Sequence, residues 1–195
     1  MTVPPRRILL PIAGIAVGVL LLALGFVFQG GGGGANASGI GGPFTLTDQN
    51  GKTVTDADFA GEPKLVFFGY THCPDVCPMT LSDITTMLGA LGTDKKAAVL
   101  FITVDPERDT PAVLKDYLSS FDPRITGLTG SPTAIAKVLQ DYRVYAKKVP
   151  TGGGDYTMDH TALVYLMDKS GNFVQSFNPE LEKPKQAAVA FSKFL

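Results

Sequence analysis

Short apolar runs separated by helix-periodic segments dominate the chain from Pro43 onward. The segments 64–69 and 98–104 are almost continuously apolar, which is typical of strands that are buried on both faces of a sheet. Apolar side chains recur at helical spacing from Leu81 to Leu91, and Gly92 then ends the pattern. Strands that alternate with helices in this way predict an α/β sandwich with a mixed central sheet.

Turn and cap residues mark the other predicted elements. Asn50-Gly51 lies between two β-type stretches and predicts an N-terminal β-hairpin. Thr110-Pro111 and Ser131-Pro132 each combine a capping side chain with a first-turn proline, so we predict helices that run to about 118 and 142. The remaining predictions are strands over 161–167 and 172–177, a turn at 168–171, and a closing helix over 186–195.

The N-terminal segment has the composition of a membrane anchor. Residues 8–28 are uncharged and apolar and follow Arg6 and Arg7; at about 1.5 Å per residue, a helix over this run would cross a hydrocarbon core of about 30 Å. The positive-inside rule would keep the arginines in the cytoplasm. We therefore predict a single-pass protein of the cytoplasmic (inner) membrane, with its folded domain on the outer, periplasmic side.

A cleaved secretory signal is the alternative interpretation of this segment. Ala35-Asn36-Ala37 resembles a cleavage site, but the apolar run exceeds the about 7–15 residues that are usual in signal peptides. With the anchor retained, the predicted segments are 1–28 as cytoplasmic stub and transmembrane helix, 29–42 as a glycine-rich linker, and 43–195 as the folded domain.

Size and charge narrow the class of function. The chain has 195 residues, enough for one domain with a core that needs no disulfide staple. Its 17 Lys and Arg nearly balance its 18 Asp and Glu, so no overall field favours nucleic acid, and we predict no nucleic-acid partner.

The two cysteines of the chain are the strongest candidates for chemistry. Cys73 and Cys77 stand four positions apart in a strand-to-helix connection, where free backbone N–H groups and the helix dipole favour the thiolate. This pair could close a disulfide in the loop or hold one metal ion. An inert structural disulfide is the less specific alternative.

A distant histidine supplies a third candidate ligand. The segment that begins at His160 has the layout of the thioredoxin strand that faces the active-site cysteines, with His160 where the cis-proline would stand. Two thiolates and one imidazole suit copper, since soft sulfur selects Cu(I) and imidazole accepts either oxidation state. A closed structural zinc site needs four ligands, and an iron–sulfur cluster needs more cysteines than one copy has.

Several nearby residues have two interpretations each. His160 could be a hydrogen-bonded structural histidine instead of a ligand, and His72 adjoins Cys73 but is expected to point away. Asp159 could orient His160 or cap its loop. Asp75 is a turn residue or a partner contact, Met79 and Met158 are packing residues or soft donors, and Gly152-Gly153-Gly154 is predicted to be a mobile loop before His160.

Three motifs in order resemble those of the Sco family, also called SenC, of copper-binding assembly factors for cytochrome c oxidase. The first is Gly69 to Pro78, Gly-Tyr-Thr-His-Cys-Pro-Asp-Val-Cys-Pro; the second is Val104 to Pro111, Val-Asp-Pro-Glu-Arg-Asp-Thr-Pro; the third is Asp159-His160-Thr161. The resemblance implies a thioredoxin-like fold that binds Cu(I) or Cu(II) through Cys73, Cys77 and His160.

The family resemblance also implies a role and partners. It suggests a membrane-tethered copper metallochaperone that assists assembly of the CuA centre in cytochrome c oxidase subunit II or serves another cuproprotein, supplied by a copper donor or a thiol reductant. The alternative is a thiol-disulfide oxidoreductase that keeps the CuA-site cysteines reduced, with Cys73 and Cys77 as the redox-active pair. A peroxidase and a redox or copper sensor are further alternatives, and an enzymatic activity is left open.

Overall fold

The computed structural model describes residues 38–92, 97–178, 188–189 and 191–194, all of which belong to the unit Asn36–Leu195. Strands and helices alternate along these residues as the hydrophobic pattern predicts. In chain order the elements are β1 (Thr45–Asp48), β2 (Thr53–Thr55), a 3-10 turn (Asp56–Phe59), β3 (Lys64–Gly69), α1 (Val76–Leu91), β4 (Ala98–Thr103), α2 (Pro111–Leu118), β5 (Ile125–Thr129), α3 (Pro132–Asp141), β6 (Ala146–Gly152), β7 (Asp155–His160), β8 (Val164–Met167) and β9 (Phe173–Phe177).

Seven strands form one mixed sheet in the order β2-β1-β5-β4-β3-β8-β9. The central strands β3, β4 and β5 are parallel, whereas β1 pairs antiparallel with β5, and β8 pairs antiparallel with β3. The sheet confirms the predicted α/β class with a mixed centre. The predicted N-terminal hairpin is also present, as β1 and β2, and it extends one edge of this sheet.

The central elements form because their apolar residues match the period of each element. All six residues of β3 are buried. Helix α1 turns Leu81, Ile84 and Leu88 inward at helical spacing, and it ends at Gly92, whose φ of 81° is readily adopted by glycine. The predicted caps are confirmed, since the side chains of Thr110 and Ser131 accept hydrogen bonds from backbone N–H groups in the first turns of α2 and α3.

Several boundaries and elements differ from the sequence predictions. Strand β8 begins at Val164 and not at 161, and strand β5 was not predicted. The predicted loop at 152–154 corresponds to the end of β6 and the tight turn into β7, but the two strands of this hairpin were not predicted, and His160 is the last residue of β7. Gly152 ends β6, Gly153 and Gly154 form the turn of this hairpin, and all three have positive φ. They serve as a tight turn because glycine adopts that conformation without steric cost.

Some predictions lie outside the described residues. These are the anchor over 1–28, most of the linker over 29–42, and most of the closing helix. Within that helix, Ala188, Val189, Phe191 and Ser192 are helical, and Ala188 and Phe191 are buried. Among the residues that the structure describes, no helix has the length and apolar character needed to span a bilayer.

Candidate metal centre

The cysteines lie where the central strand β3 passes into helix α1. Cys73 is in the connecting loop, and Cys77 is in the first turn of α1; both are buried and both are free thiols. Gly69, the last residue of β3, makes this approach possible, since a Cβ built on it would lie 2.8 Å from Cys77 Sγ. Parallel β3 and β4 therefore bring the cysteines to the carboxyl-end edge of the sheet, where α/β proteins commonly bind ligands.

Both sulfurs and the His160 imidazole converge on one point. Their candidate ligand atoms all lie within 4.8 Å of one another, and they form the one group of this kind found among the described residues. His160 Nε2 is 3.7 Å from Cys77 Sγ, and the backbone N–H of Cys77 donates to Cys73 Sγ at 3.4 Å. The three residues predicted from the sequence are thus brought together, with spacing that a single soft ion could bridge.

Their surroundings make the two thiols unequal. The Cys77 side chain donates to Cys73 and lowers the pKa of the Cys73 thiol far below its ordinary value; contacts with His160 and with the N–H groups of Asp75 and Cys77 act in the same direction, against the effect of burial. The same hydrogen bond and its own burial raise the pKa of Cys77. Cys73 is therefore the thiolate of the pair, and Cys77 holds the shared proton.

The ring of His160 is oriented by two neighbours. Its Nδ1 lies 3.1 Å from the carbonyl oxygen of Thr161, an acceptor for an Nδ1–H donor, and Nε2 faces Cys77. Tyr70 contacts the ring edge to face, with centroids 5.7 Å apart. The Tyr70 hydroxyl is in turn 2.7 Å from Thr157 Oγ1 in the strand that carries His160.

The second sequence motif supports both halves of the centre. Asp109 is fully buried, and its carboxylate accepts from Thr71 N–H, from Thr71 Oγ1 at 2.6 Å and from Thr103 Oγ1 at 2.5 Å. This network fixes the loop that leads to Cys73 against the end of β4. Asp105 and Arg108 contact the β6–β7 hairpin.

The other candidates take no part in the cluster. His72 is exposed, with its Nδ1 3.1 Å from Thr71 Oγ1. Asp159 is exposed as well, and the acceptor near His160 Nδ1 is the Thr161 carbonyl instead of this carboxylate. Asp75 and Met79 are exposed, while Met158 is buried in the core.

Sequence reasoning missed Tyr70, Arg108 and Asp109 as supporting residues. Tyr70 lies in the motif that was noticed for its cysteines, and Arg108 and Asp109 lie in the second motif, whose resemblance to the family assigned them no role. A carboxylate is rarely buried without partners, but the sequence does not show that Asp109 is buried. Its partners could not be named from the sequence, since Thr71 is 38 positions away.

Comparisons with known proteins agree with this fold. The SCO1/SenC family model matches residues 33–195. The SCO2-like protein RP587 of Rickettsia prowazekii is 41% identical over 141 residues, which cover 71% of this chain and 69% of that protein. The mitochondrial SCO1 homolog of Homo sapiens is 39% identical over 153 residues, which cover 76% of this chain and 51% of that protein. The chain thus spans about half of the human protein's length.

A solved relative has the same fold over the described domain. The structure of Bradyrhizobium japonicum ScoI with copper bound superimposes with a TM-score of 0.76 at 62% identity and covers 80% of this chain and 99% of that one. Together with the mixed sheet, this likeness confirms the thioredoxin-like fold predicted from the sequence. On the family match and the identity to curated relatives, the chain is a member of the SCO1/SenC family.

Proposed function

We propose that this chain is a copper metallochaperone whose cargo is held by Cys73, Cys77 and His160. The observation that carries the proposal is the convergence of two sulfurs and one imidazole nitrogen within 4.8 Å. Three-coordinate S₂N donor sets suit Cu(I), and the imidazole allows Cu(II) when a further ligand completes the site. Burial of both cysteines protects the sulfurs from solvent.

Release follows from the different origins of the three ligands. Cys73 and Cys77 come from the junction of β3 and α1, whereas His160 comes from a separate hairpin. Withdrawal of the imidazole would leave copper on two sulfurs, and thiolates of an acceptor protein could then capture it by ligand exchange. The site can therefore hold copper firmly and still transfer it.

The acceptor we propose is the CuA centre of cytochrome c oxidase subunit II. Membership in the SCO1/SenC family and the likeness to a ScoI that was solved with copper support this assignment. The apolar run at 8–28 supports a membrane anchor that would keep the domain on the periplasmic side, near an acceptor in the same membrane. A copper donor or a thiol reductant would load or reduce the site.

A second function is favoured by the state of the cysteines. Both are free, and the hydrogen bond between them makes Cys73 a thiolate that could attack a disulfide. The chain would then reduce the CuA-site cysteines, and oxidise its own pair, instead of delivering copper. This candidate gives no role to His160.

Anaerobic titration of the reduced soluble domain with Cu(I) and Cu(II) tests the proposal. We expect one copper per chain, with sulfur-to-copper charge transfer in the Cu(II) form, and loss of tight binding in Cys73→Ala, Cys77→Ala and His160→Ala. His72→Ala is the matched control, because this exposed histidine adjoins the site without entering the cluster. Full retention of copper by His160→Ala would contradict the ligand assignment.

Incubation with an apo fragment of oxidase subunit II separates the two functions. A chaperone transfers its copper to a reduced acceptor, and the acceptor acquires the CuA spectrum. A reductase converts an oxidised acceptor to dithiol without copper, while its own pair becomes a disulfide. Disulfide exchange without any metal transfer would favour the second function.

A further inference from the structure

The β6–β7 hairpin, which carries His160, is separate from the main sheet. Its two strands form a small sheet of their own, and the β6 side chains from Lys147 to Gly152 are exposed. No ladder of backbone hydrogen bonds to the seven-stranded sheet holds this hairpin in the described structure. The position of His160 therefore depends on side-chain contacts between the hairpin and the rest of the domain, together with the short connection from His160 to β8.

Arg108 makes several of these contacts at once. Its Nη1 donates to the Tyr156 carbonyl oxygen at 3.0 Å and to Asp155 Oδ1 at 3.2 Å, both at the start of β7. Its guanidinium carbon lies 3.7 Å from the centroid of the Tyr156 ring, well within the range of a cation–π contact. It also lies 5.8 Å from the ring of Tyr70, which contacts His160.

Asp105 anchors Arg108 and the hairpin to the core. Its Oδ2 accepts from Arg108 Nε at 2.5 Å, while its Oδ1 accepts from the Tyr156 hydroxyl at 2.8 Å. Asp105 is only 1% exposed, and its own N–H donates to Thr103 Oγ1 at the end of β4. One buried carboxylate thus joins the arginine and the hairpin tyrosine to the central sheet.

We propose that Arg108 is a positioning residue that latches the β6–β7 hairpin and so sets whether His160 reaches the cysteines. The proposal rests on the proposed function, in which His160 is a copper ligand. The planar guanidinium satisfies three acceptors and stacks on one ring, a combination that a lysine cannot reproduce. Arg108 contacts none of the three ligands itself and acts through Tyr156 and the strand that follows it.

The contacts of Arg108 with Asp155 and Tyr156, which we call the latch, include two features that favour release of the hairpin. Arg108 Nη2 is buried and has no hydrogen-bond partner in the part of the chain that the structure describes. Release of the hairpin would hydrate this donor and recover part of its desolvation cost. Asp155 is 76% exposed, so its ion pair with Arg108 is already weakened by water and salt. These two features lower the cost of displacing the hairpin, whereas the buried contacts of Asp105 with Arg108 and Tyr156 oppose its release.

Loss of the latch has different consequences for the two oxidation states. Two thiolates can still hold Cu(I), which prefers soft donors, but Cu(II) depends more on the imidazole. We therefore expect Arg108→Ala to weaken Cu(II) binding by at least about tenfold, the lower end of the range that is typical when a group orienting a metal ligand is lost. Cu(I) binding should weaken by a smaller factor.

A double-mutant cycle on the reduced soluble domain distinguishes this role from general damage. Cu(I) and Cu(II) affinities are measured by competition for wild type, Arg108→Ala, His160→Ala and the double variant. If Arg108 acts through His160, Arg108→Ala has no further effect on Cu(II) affinity once His160 is absent. Additive losses would overturn the proposal, as would wild-type affinity in Arg108→Ala.

Two further variants keep the test valid if Arg108→Ala folds poorly. Arg108→Lys retains the charge, and Tyr156→Phe removes only the hydrogen bond to Asp105; both should lower Cu(II) affinity by smaller factors. Arg124→Ala is the matched control, because Arg124 is a comparably buried arginine that forms an ion pair with Asp122 and donates a hydrogen bond to the Gly92 carbonyl oxygen. It should leave both affinities unchanged.

Amide hydrogen exchange of the metal-free protein tests the latch without any copper. We expect the β7 amides of Arg108→Ala to exchange faster than in wild type, whereas the β3 and β4 amides keep their protection. Failure of wild type to bind copper would refute the proposed function but leave this exchange result intact. Unchanged β7 exchange would refute the latch, even if copper binds.

Discussion

At the scale of single residues, the centre makes two chemically identical side chains different. Cys73 accepts hydrogen bonds from the Cys77 thiol and the Cys77 N–H, so its thiolate is stabilised. Cys77 is completely buried and donates, which favours its neutral form. Such a pair offers one ready thiolate to an incoming ion or disulfide and releases only one further proton when metal binds.

This difference predicts the outcome of a thiol titration. In reduced, metal-free Cys77→Ala, Cys73 loses its thiol donor, and hydrogen bonds to charged groups contribute about 1.5–3 kcal/mol. The pKa of Cys73 should therefore rise by about 1–2 units, at about 1.4 kcal/mol per unit. In Cys73→Ala, the pKa of Cys77 should fall, because the thiolate that opposes its ionisation is gone.

Thiolate absorbance in the far ultraviolet, followed against pH, provides the measurement. His72→Ala serves as the control, since its exposed ring contacts neither sulfur in the cluster and should leave the titration unchanged. A Cys73 that titrates at the same pH with and without Cys77 would show that the thiol hydrogen bond does not set its ionisation.

At the scale of elements, the junction of β3 and α1 depends on the absence of one side chain. A Cβ on Gly69 would lie 2.7 Å from a ring carbon of Phe101 and 2.8 Å from Cys77 Sγ. Both distances are far shorter than van der Waals contact, and Phe101 is fully buried on the adjacent strand. The close packing of strand and helix that brings Cys77 to the centre thus requires glycine here.

Gly69→Ala should therefore damage both stability and copper binding. Overpacking of a close-packed core typically costs about 1–3 kcal/mol, and relief by movement of Cys77 Sγ would displace one of the three proposed ligands. Chemical denaturation and copper competition measure the two effects. Gly89→Ala is the control, because Gly89 is exposed in α1 with nothing within 4 Å of the built Cβ, and it should stabilise the helix by up to about 1 kcal/mol. A Gly69→Ala protein with wild-type stability would contradict this account.

Prediction of elements from the sequence succeeded where the pattern of apolar residues is clear. Strands β3 and β4 are buried apolar runs, and α1 repeats its apolar residues at helical spacing. Strand β5 was missed because it is short and has Gly127 at its centre, where a Cβ would lie 2.5 Å from a Leu118 side-chain carbon. Close packing against α2 requires glycine at this position, and the glycine interrupts an otherwise mostly β-branched sequence.

The β6–β7 hairpin was missed for a different reason. Its first strand is exposed along almost all of its length, so no buried face imposes alternation on the sequence. The three residues of the candidate centre could be named from the sequence because Cys and His carry chemistry by residue type. Their supporting contacts could not, since Arg108 meets Asp155 across 47 positions, and only the folded chain brings these side chains together.

At the scale of the whole molecule, buried acidic groups link the centre to the pH dependence of folding. Asp109 joins the cysteine loop to the end of β4, and burial raises the pKa of its carboxyl above the ordinary value of 3.8, against the effect of its threonine hydrogen bonds. Asp122 is the opposite case, because hydrogen bonds from Arg124 lower the pKa of its carboxyl below 3.8. The two carboxylates should therefore affect stability in opposite directions as the pH falls.

Proton linkage decides whether Asp109 raises or lowers the free energy of unfolding as the pH changes. Between 3.8 and its raised pKa, the folded state binds the proton more tightly than the unfolded state does. The free energy of unfolding therefore falls as pH rises through this window and increases as pH is lowered through it. The Asp109→Asn variant lacks this contribution, and it should also lose about 1–3 kcal/mol at neutral pH because an amide cannot match the carboxylate as an acceptor for Thr71 and Thr103.

Denaturant unfolding of metal-free protein between pH 7 and 3 tests this reasoning. The stability advantage of wild type over Asp109→Asn should grow as the pH falls toward about 4, since only wild type takes up a proton on folding there. For Asp122→Asn the advantage should instead shrink below about 4, because the stability that the lowered pKa provides is lost as the pH falls through the folded pKa. Parallel curves for wild type and Asp109→Asn would show that Asp109 titrates alike in both states, as a carboxylate that stays hydrated in the folded protein would.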